Sequence, residues 1–281
     1  MKKNLYTGVF FIAISCLMFG LTVFLNVKEN ELANELNQKY TDVDADKIDS
    51  SNNGNLINVN GNISYEKEAY DKDFNLNVDT VILKRNVEVF VWIQETETNN
   101  GKTTYTYRQK WMNELVDSSK FEIKDRYENP KSISYANKSF YADNVKLGVF
   151  KLDDKILEKL ETKELDFSNI NLKKLPKGFN ISGNYITNSK NIESPSVGDI
   201  RISYTYNTQK EITVFGEQDD ETITEYETED DNKILDVISG IKTGEEVVDS
   251  YKKSNYFRNN FFILTSLALS VIGIILLMKK E

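Results

Sequence analysis

The chain has 281 residues, enough for one or two domains. Its 35 Lys and Arg against 44 Asp and Glu give a net charge of −9, which removes the basic patches that nucleic acid needs. There is no histidine and a single cysteine, Cys16, so Ser-His-Asp, Cys-His and His-ligated zinc chemistries, disulfide frameworks and CxxC motifs are all excluded.

Residues 5–27 are 23 successive positions without a charge, about 35 Å as a helix and enough to cross a bilayer. The run exceeds the roughly 7–15 apolar residues of a cleaved signal, and no A-x-A site follows it. It reads as an uncleaved anchor. Ala13-Ile14-Ser15-Cys16 bears some likeness to a lipoprotein attachment sequence, but residues 17–25 stay apolar where a mature lipoprotein turns polar. Residues 28–47 are rich in helix formers (Glu29, Glu31, Leu32, Ala33, Glu35, Leu36) and prolong the first helix as a stalk. The stalk and its linker end in Ser50-Ser51-Asn52-Asn53-Gly54.

From residue 54 to 242 the pattern is β-rich. Residues 56–63 alternate with period two around a glycine irregularity at Gly61. After Thr80 a long strand places Val81, Leu83, Val87, Val89, Val91 and Ile93 on one face, interrupted only by Arg85, with Lys84, Glu88, Phe90, Trp92 and Gln94 on the other. Asn99-Asn100-Gly101 turns it into residues 103–111, where Tyr105, Tyr107 and Trp111 alternate with polar neighbours, a hairpin signature. Asn129-Pro130 marks a loop, residues 152–160 fit a short amphipathic helix, and Pro176 and Pro195 bound an irregular connection. Residues 199–215 read as a second hairpin with its turn at 207–210, and residues 222–226 as a further strand.

Thr243-Gly244-Glu245-Glu246 has the spacing of a capping box that starts a membrane-proximal helix over 243–260. The helix leads into a second span over 261–281, whose 18 uncharged residues end at the basic pair Lys279 and Lys280. The expected fold is α+β: two transmembrane helices flanking a mixed, β-rich extracytoplasmic domain with short helices. Whether its sheet closes into a barrel is left open. Lys2 and Lys3 before the first span, with Lys279 and Lys280 after the second, put both termini in the cytoplasm by the positive-inside rule. Lys28, Lys252, Lys253 and Arg258 flank the other side and weaken that bias. The central region carries −13, a charge repelled by anionic headgroups.

Few motifs point to chemistry. Asp42-Val43-Asp44-Ala45-Asp46 copies the opening of a calcium loop, but Lys47 stands where glycine is needed and Asn53 where a bidentate glutamate belongs. Residues 217–231 hold nine carboxylates, either a divalent-cation collector or a solvated acidic hairpin. Leu165, Phe167, Ile170, Leu172 and Leu175 hint at one leucine-rich unit, too few for a solenoid. Arg85 on the apolar face is either a buried charge in need of a partner or a residue near a sheet edge, with an ion pair favoured over catalysis. Three N-x-S sequons (Asn62, Asn137, Asn180) arise readily by chance, because abundant Lys, Asn and Ile suggest an AT-rich, bacterial genome. Ser266 and Ser270 form one small-xxx-small pair in the second span.

From about residue 54 to 273 the chain resembles the transmembrane protein 43 family, also called LUMA. The resemblance rests on Gly54-Asn55-Leu56-Ile57 with Gly61, on Leu83-Lys84-Arg85-Asn86-Val87-Glu88-Val89-Phe90-Val91-Trp92 followed by Glu95, and on the tyrosine-rich strand that reaches Trp111. It continues through Asn129-Pro130, Val197-Gly198-Asp199-Ile200-Arg201-Ile202-Ser203-Tyr204, and Glu245-Glu246 ahead of Asn255 and Arg258. It implies a prokaryotic relative of animal envelope proteins whose large domain faces the lumen and which associate with lamins, emerin and themselves. A bacterial cell has no lamina, and one C-terminal span stands where animal members have several. What transfers is a membrane-anchored scaffold in the lipid bilayer, associating with itself or with other membrane proteins, without nucleic acid, cofactor or enzymatic activity. The alternative is a metal-dependent enzyme or an extracytoplasmic ligand-binding module that uses residues 217–231. The candidate structural or interface residues are Arg85, Glu88, Phe90, Trp92, Tyr105, Trp111 and Arg201, with Gly198 and Asp199 shaping the turn into the later strand.

Overall fold

The computed structural model describes residues 2–170 and 174–278; Leu172 and the basic pair Lys279 and Lys280 lie outside them. The chain runs α1 (Lys2–Lys39), β1 (Thr41–Val43), β2 (Leu56–Ser64), β3 (Ala69–Asp71), β4 (Leu76–Val78), β5 (Ile82–Asn99) and β6 (Lys102–Met112). Next come β7 (Lys138–Tyr141), β8 (Lys146–Leu147), β9 (Phe150–Lys151), α2 (Asp154–Glu158), β10 (Lys163–Glu164), β11 (Asn180–Ser182), β12 (Tyr185–Thr187) and β13 (Ile200–Tyr206). The last are β14 (Glu211–Asp219), β15 (Thr222–Thr224), β16 (Tyr226–Glu227), β17 (Lys233–Ile234), β18 (Asp236–Ser239) and α3 (Gly244–Met278). Two compact units result: Met1–Asn62, Leu147–Phe150 and Glu211–Glu281 form the first, Ile63–Lys146 and Lys151–Lys210 the second.

In the first unit α1 and α3 are long and apolar enough to cross a membrane and pair antiparallel. Among the buried and half-buried positions of α1, Gly8, Phe11, Ser15, Met18, Thr22, Leu25, Glu29, Leu32 and Leu36 follow steps of three and four, the spacing of a coiled-coil seam, with Ile12, Ile14, Ala33 and Glu35 beside it. Asn259, Ser266 and Gly273 face it from α3. Small residues allow backbones in lipid to approach closely, and short polar ones bond across the gap. A Cβ on Gly273 would stand 2.9 Å from the Gly8 carbonyl oxygen and 2.7 Å from Ile12. Ser15 Oγ donates to the Ser266 carbonyl at 2.6 Å and lies 2.5 Å from Ser270 Oγ. The Ser266–Ser270 pair noted in the sequence therefore faces α1. Toward the sheet, Asn259 Nδ2 donates to Asn26 Oδ1 and Glu29 Oε2, each at 3.2 Å, and Arg258 pairs with Glu29. Leu5, Val9, Phe10, Leu17, Phe24, Leu264 and Val271 point outward as an apolar perimeter.

Both helices continue beyond their apolar stretches. Ala33 and Leu36 of α1 and Val247 and Val248 of α3 share a buried core with Leu56, Phe215 and Ile234. Helix α1 stops at Lys39, short of residue 47, because Tyr40 turns onto Phe215 with ring centroids 6.0 Å apart and Thr41–Val43 pairs in parallel with residues 57–59. The sheet behind them closes: β2, β8, β9, β15 and β14 form a ring, with β1 and β18 attached at its sides. Asp42 Oδ1 accepts from Asn58 Nδ2 at 2.6 Å and from Gly244 N–H at 2.9 Å, so it caps α3. The capping box forms as the spacing predicts: Glu246 N–H donates to Thr243 Oγ1 at 3.2 Å and Thr243 N–H to Glu246 Oε2 at 3.0 Å.

The acidic stretch spreads around this unit. Asp230 pairs with Lys28 at 3.1 Å, Glu229 with Lys39 at 3.6 Å and Glu225 with Lys233 at 3.7 Å, while Asp220 accepts from Asn53 at 2.6 Å. Among the described residues no three acidic or sulfur side chains gather as metal ligands.

The second unit is a sheet in the order β11-β12-β13-β5-β6, with β10 on β13 and β7 on β5. Strand β5 alternates as its sequence does, and Leu83, Val87, Val89, Val91 and Ile93 enter a core with Phe74, Leu76, Ile186, Ile202 and Tyr204. Asn100 at φ 49° and Gly101 at φ 77° make the two-residue turn into β6. The second expected hairpin does not form. Residues 200–206 and 211–219 are both strands, but β13 pairs with β5, β10 and β12, whereas β14 pairs with β2, β15 and β18. Alternation specifies a strand and its buried face, not its neighbour.

Short α2 is capped by Asp153, which accepts from Ile156 N–H at 3.0 Å. At its end burial disfavours the Glu158 carboxylate, but Lys84 Nζ at 2.5 Å and the hydroxyls of Ser139 and Tyr141 outweigh that and hold its pKa down at about 2, from 4.5. A carboxylate with a depressed folded pKa adds stability above its unfolded pKa and loses it as pH falls through the folded one. Thermal midpoints read from Trp92 and Trp111 emission are therefore expected to fall between pH 4.5 and about 2. Glu158→Gln should show a lower midpoint at pH 7 and a flatter slope in that window; an unchanged slope would remove Glu158 from the account.

Candidate functional site

Among the side chains of β5 that point away from the core are Glu88, Phe90, Trp92, Gln94 and Thr96. Register brings Arg201 opposite Glu88, Trp111 opposite Phe90, Gln109 opposite Trp92, Tyr107 opposite Gln94 and Tyr105 opposite Thr96. Side chains directly opposite on one face of an antiparallel pair are neighbours, and seven of these ten are rings or charges on that face, grouped in two clusters with Tyr105 apart from both.

At one end Arg201 is held from three directions. Its Nε donates to Glu88 Oε2 at 2.6 Å and its Nη2 to Oε1 at 3.0 Å, a bidentate pair. Its guanidinium carbon lies 4.7 Å from the Trp111 ring and 4.7 Å from that of Tyr185. Phe90 packs on Trp111 with centroids 5.2 Å apart. A shallow groove of about 550 Å³ opens here, walled by Phe90, Trp111, Tyr185, Arg201, Glu193 and Pro195. Gly198 and Asp199 lie outside the groove wall and fix the chain's entry to β13: Gly198 N–H donates to the Phe90 carbonyl and Phe90 N–H to the Asp199 carbonyl, both at 2.8 Å. Gly198 has φ 95°, and Asp199 Oδ2 accepts from Ser196 N–H at 2.8 Å to close the turn.

Trp92 lies farther along that face in a cluster of its own. It meets Tyr127 edge-on at 4.8 Å, and Tyr127 stacks on Tyr107 at 3.9 Å. Asn129 locks this cluster. Its Oδ1 accepts from Trp92 N–H at 2.7 Å while its Nδ2 donates to the Trp92 carbonyl at 2.8 Å and to the Val116 carbonyl at 3.0 Å. One amide thus satisfies both main-chain groups of a strand residue, as a neighbouring strand would. Asn129→Ala is expected to cost about 1–3 kcal/mol, because it leaves a part-buried N–H without an acceptor, and to shift Trp92 emission to the red. Unchanged emission and melting would contradict that role.

Tyr105 is 39% exposed on the outer part of the β5–β6 arm and meets neither cluster. Arg85 points to the other face. Its Nη1 lies 2.8 Å from Asp71 Oδ2 and 2.9 Å from Asp73 Oδ2, and Nε donates to the Ala136 carbonyl at 3.0 Å. Burial opposes its charge, but the two carboxylates outweigh burial and hold its pKa above the ordinary value. Burial and Asp71 push the Tyr204 hydroxyl far up, and it donates to Asp71 Oδ2 at 2.7 Å. This network serves the core rather than a site. Sequence reasoning missed Tyr185, Tyr127, Asp71 and Asp73, and it read Asn129 as a loop marker and family motif without a site role. Only Tyr185-Ile186-Thr187, with its period of two, carried a local signal.

A family profile described as transmembrane protein 43 matches residues 89–280. Transmembrane protein 43 of Rattus norvegicus is 25% identical over 225 residues, covering 73% of this chain and 55% of the relative, and that of Homo sapiens is 25% identical over the same shares. The Transmembrane protein 43 homolog of Drosophila melanogaster is 24% identical over 163 residues, 54% of this chain and 43% of the relative. The chain spans about half the length of the curated relatives it matches. No solved structure matches it. With a profile match over most of its length and two apolar helices that form one seam, the chain belongs to the transmembrane protein 43 family as a membrane protein.

Proposed function

We propose that the protein is a non-enzymatic scaffold or assembly factor of the cell membrane, with both termini cytoplasmic and residues 54–242 outside. On this reading residues 28–53 form the stalk and 243–260 the membrane-proximal helix. The observation that carries it is the continuity of α1 and α3: each runs without a break from its apolar stretch into the buried core around Phe215. A sheet fixed in this way to two membrane helices holds its position at the bilayer, as an assembly factor must. The topology is supported by the ion pairing of Lys28 with Asp230, Lys252 with Asp249 and Arg258 with Glu29, which offsets three of the cations that weaken the charge bias. The acidic stretch pairs with Lys28, Lys39 and Lys233 rather than converging on a cation, which favours the scaffold over the metal-dependent alternative. Cross-linking in native membranes, followed by purification of the tagged protein and mass analysis, should yield a defined assembly, homomeric or with fixed partners. A lone monomer would contradict the scaffold reading.

A further inference from the structure

The guanidinium of Arg201 is fixed but not saturated. Its guanidinium carbon lies over the rings of Trp111 and Tyr185, and its Nε–Nη2 edge is held by Glu88. Nη1 makes no hydrogen bond among the described residues, and Arg201 lines the groove. A planar donor group already ordered by its neighbours is suited to an oxyanion and loses little side-chain freedom on binding one. The surroundings select among anions. Glu193 lines the same groove and Glu88 lies 2.6 Å from Arg201, so a phosphate dianion meets more repulsion than a single carboxylate does. The walls of Phe90, Trp111, Tyr185 and Pro195 suit apolar flanking groups.

Two further observations point to a polypeptide as the bearer of that carboxylate. The groove is open along the surface, and Trp111 belongs to β6, the last strand of its sheet, beside which no other strand lies among the described residues. An edge strand offers unpaired main-chain donors and acceptors to an extended chain. The acidity of the protein also resides elsewhere: the second unit holds 23 Lys and Arg against 22 Asp and Glu, whereas the first holds 12 against 22. An acidic segment therefore meets no net repulsion from the unit that carries the groove.

We propose that the groove between Trp111, Tyr185 and Arg201 binds an extended acidic peptide segment of a partner protein, with one Asp or Glu carboxylate on Arg201 Nη1 and apolar neighbours against the two rings. This rests on the scaffold reading and names the chemistry of what the scaffold holds. The chain has two tryptophans, so in the full-length Trp92→Phe variant in detergent micelles Trp111 becomes the reporter. The probes are the N-acetylated, C-amidated pentapeptide Phe-Pro-Glu-Pro-Phe, its Gln counterpart and sodium acetate. The Glu peptide is expected to change Trp111 emission with an affinity about tenfold above that of the Gln peptide, and Arg201→Lys should abolish the preference. Glu193→Lys, a change at an exposed side chain that leaves the Arg201–Glu88 pair intact, should tighten the Glu peptide by about threefold or more. Equal affinities for the two peptides, no gain with Glu193→Lys, or acetate binding as tightly as the peptide would overturn the proposal. Selective peptide binding by a protein that cross-links only as a monomer would sink the scaffold reading and leave the groove standing. A defined assembly with no peptide preference would do the reverse.

Discussion

Arg85→Ala and Asp71→Ala are each expected to destabilise the second unit by about 3–5 kcal/mol, a large share of the about 5–15 kcal/mol that holds a domain together. Arg85 is 4% exposed and Asp71 0%, so removing Arg85 strands the Asp71 charge in the core, and removing Asp71 takes from Arg85 its fully buried carboxylate. Asp71 without Arg85 keeps, among the described residues, only the Tyr204 hydroxyl and the Asp73 N–H as donors. Arg85 without Asp71 keeps Asp73 and the rings of Phe74, Tyr135 and Phe140, 5.3 to 5.7 Å from its guanidinium carbon. Replacing the pair together, Arg85→Met with Asp71→Leu, should cost less than either single change, because the one carboxylate left without its cation, Asp73, is 35% exposed rather than buried. Tyr204→Phe should cost about 1–2 kcal/mol, since Asp71 retains its stronger partner. Trp92 and Trp111 both lie in this unit, so melts of the whole chain in detergent micelles followed by tryptophan emission measure it. Single variants that melt within about 1 kcal/mol of the native protein would show that the pair is not what closes this core.

Gly273→Leu should separate the two membrane helices. A Cβ at that position would already press on the Gly8 carbonyl oxygen, which belongs to the backbone and cannot turn aside. Forcing bulk into a packed contact costs about 1–3 kcal/mol, and in lipid no hydrophobic driving force restores the contact elsewhere. Ser15→Cys with Ser270→Cys, in a Cys16→Ser background, places two thiols where the hydroxyls are 2.5 Å apart. Mild oxidation should then join the helices in high yield, and Gly273→Leu should lower the yield by roughly tenfold. An equal yield with and without Gly273→Leu would contradict the seam.

The strand at 82–99, its Asn100-Gly101 turn and the capped start of α3 were legible because each is written locally, as period two, a turn dipeptide and a Thr-x-x-Glu spacing. The seam of α1 was also present in the sequence, as Gly8, Ser15, Thr22 and Glu29 at heptad spacing. Only Ser266 and Ser270 betrayed it, because a uniformly apolar run hides a stripe marked by size rather than polarity. The odd place of Arg85 was visible on its own strand. Its partners were not, since Asp71 and Asp73 arrive on and beside the small β3–β4 hairpin, and Tyr204 comes from 133 residues beyond Asp71. The same limit explains the misplaced hairpin at 199–215: β13 and β14 each alternate correctly, and pairing partners more than a hundred residues away decide where each goes. Glu88, Phe90, Trp111 and Arg201 could be named as candidates, but their meeting in one groove follows only from the register of β5 with β6 and β13.

The proposed placement, in which a two-helix membrane hairpin holds the β-rich body outside the cytoplasm, is tested most directly by thiol labelling in intact cells. Lys102→Cys in a Cys16→Ser background places one thiol at the exposed end of the β5–β6 arm. Labelling by a membrane-impermeant maleimide before lysis is the predicted result. Labelling only after lysis would place the body on the cytoplasmic side and contradict the account.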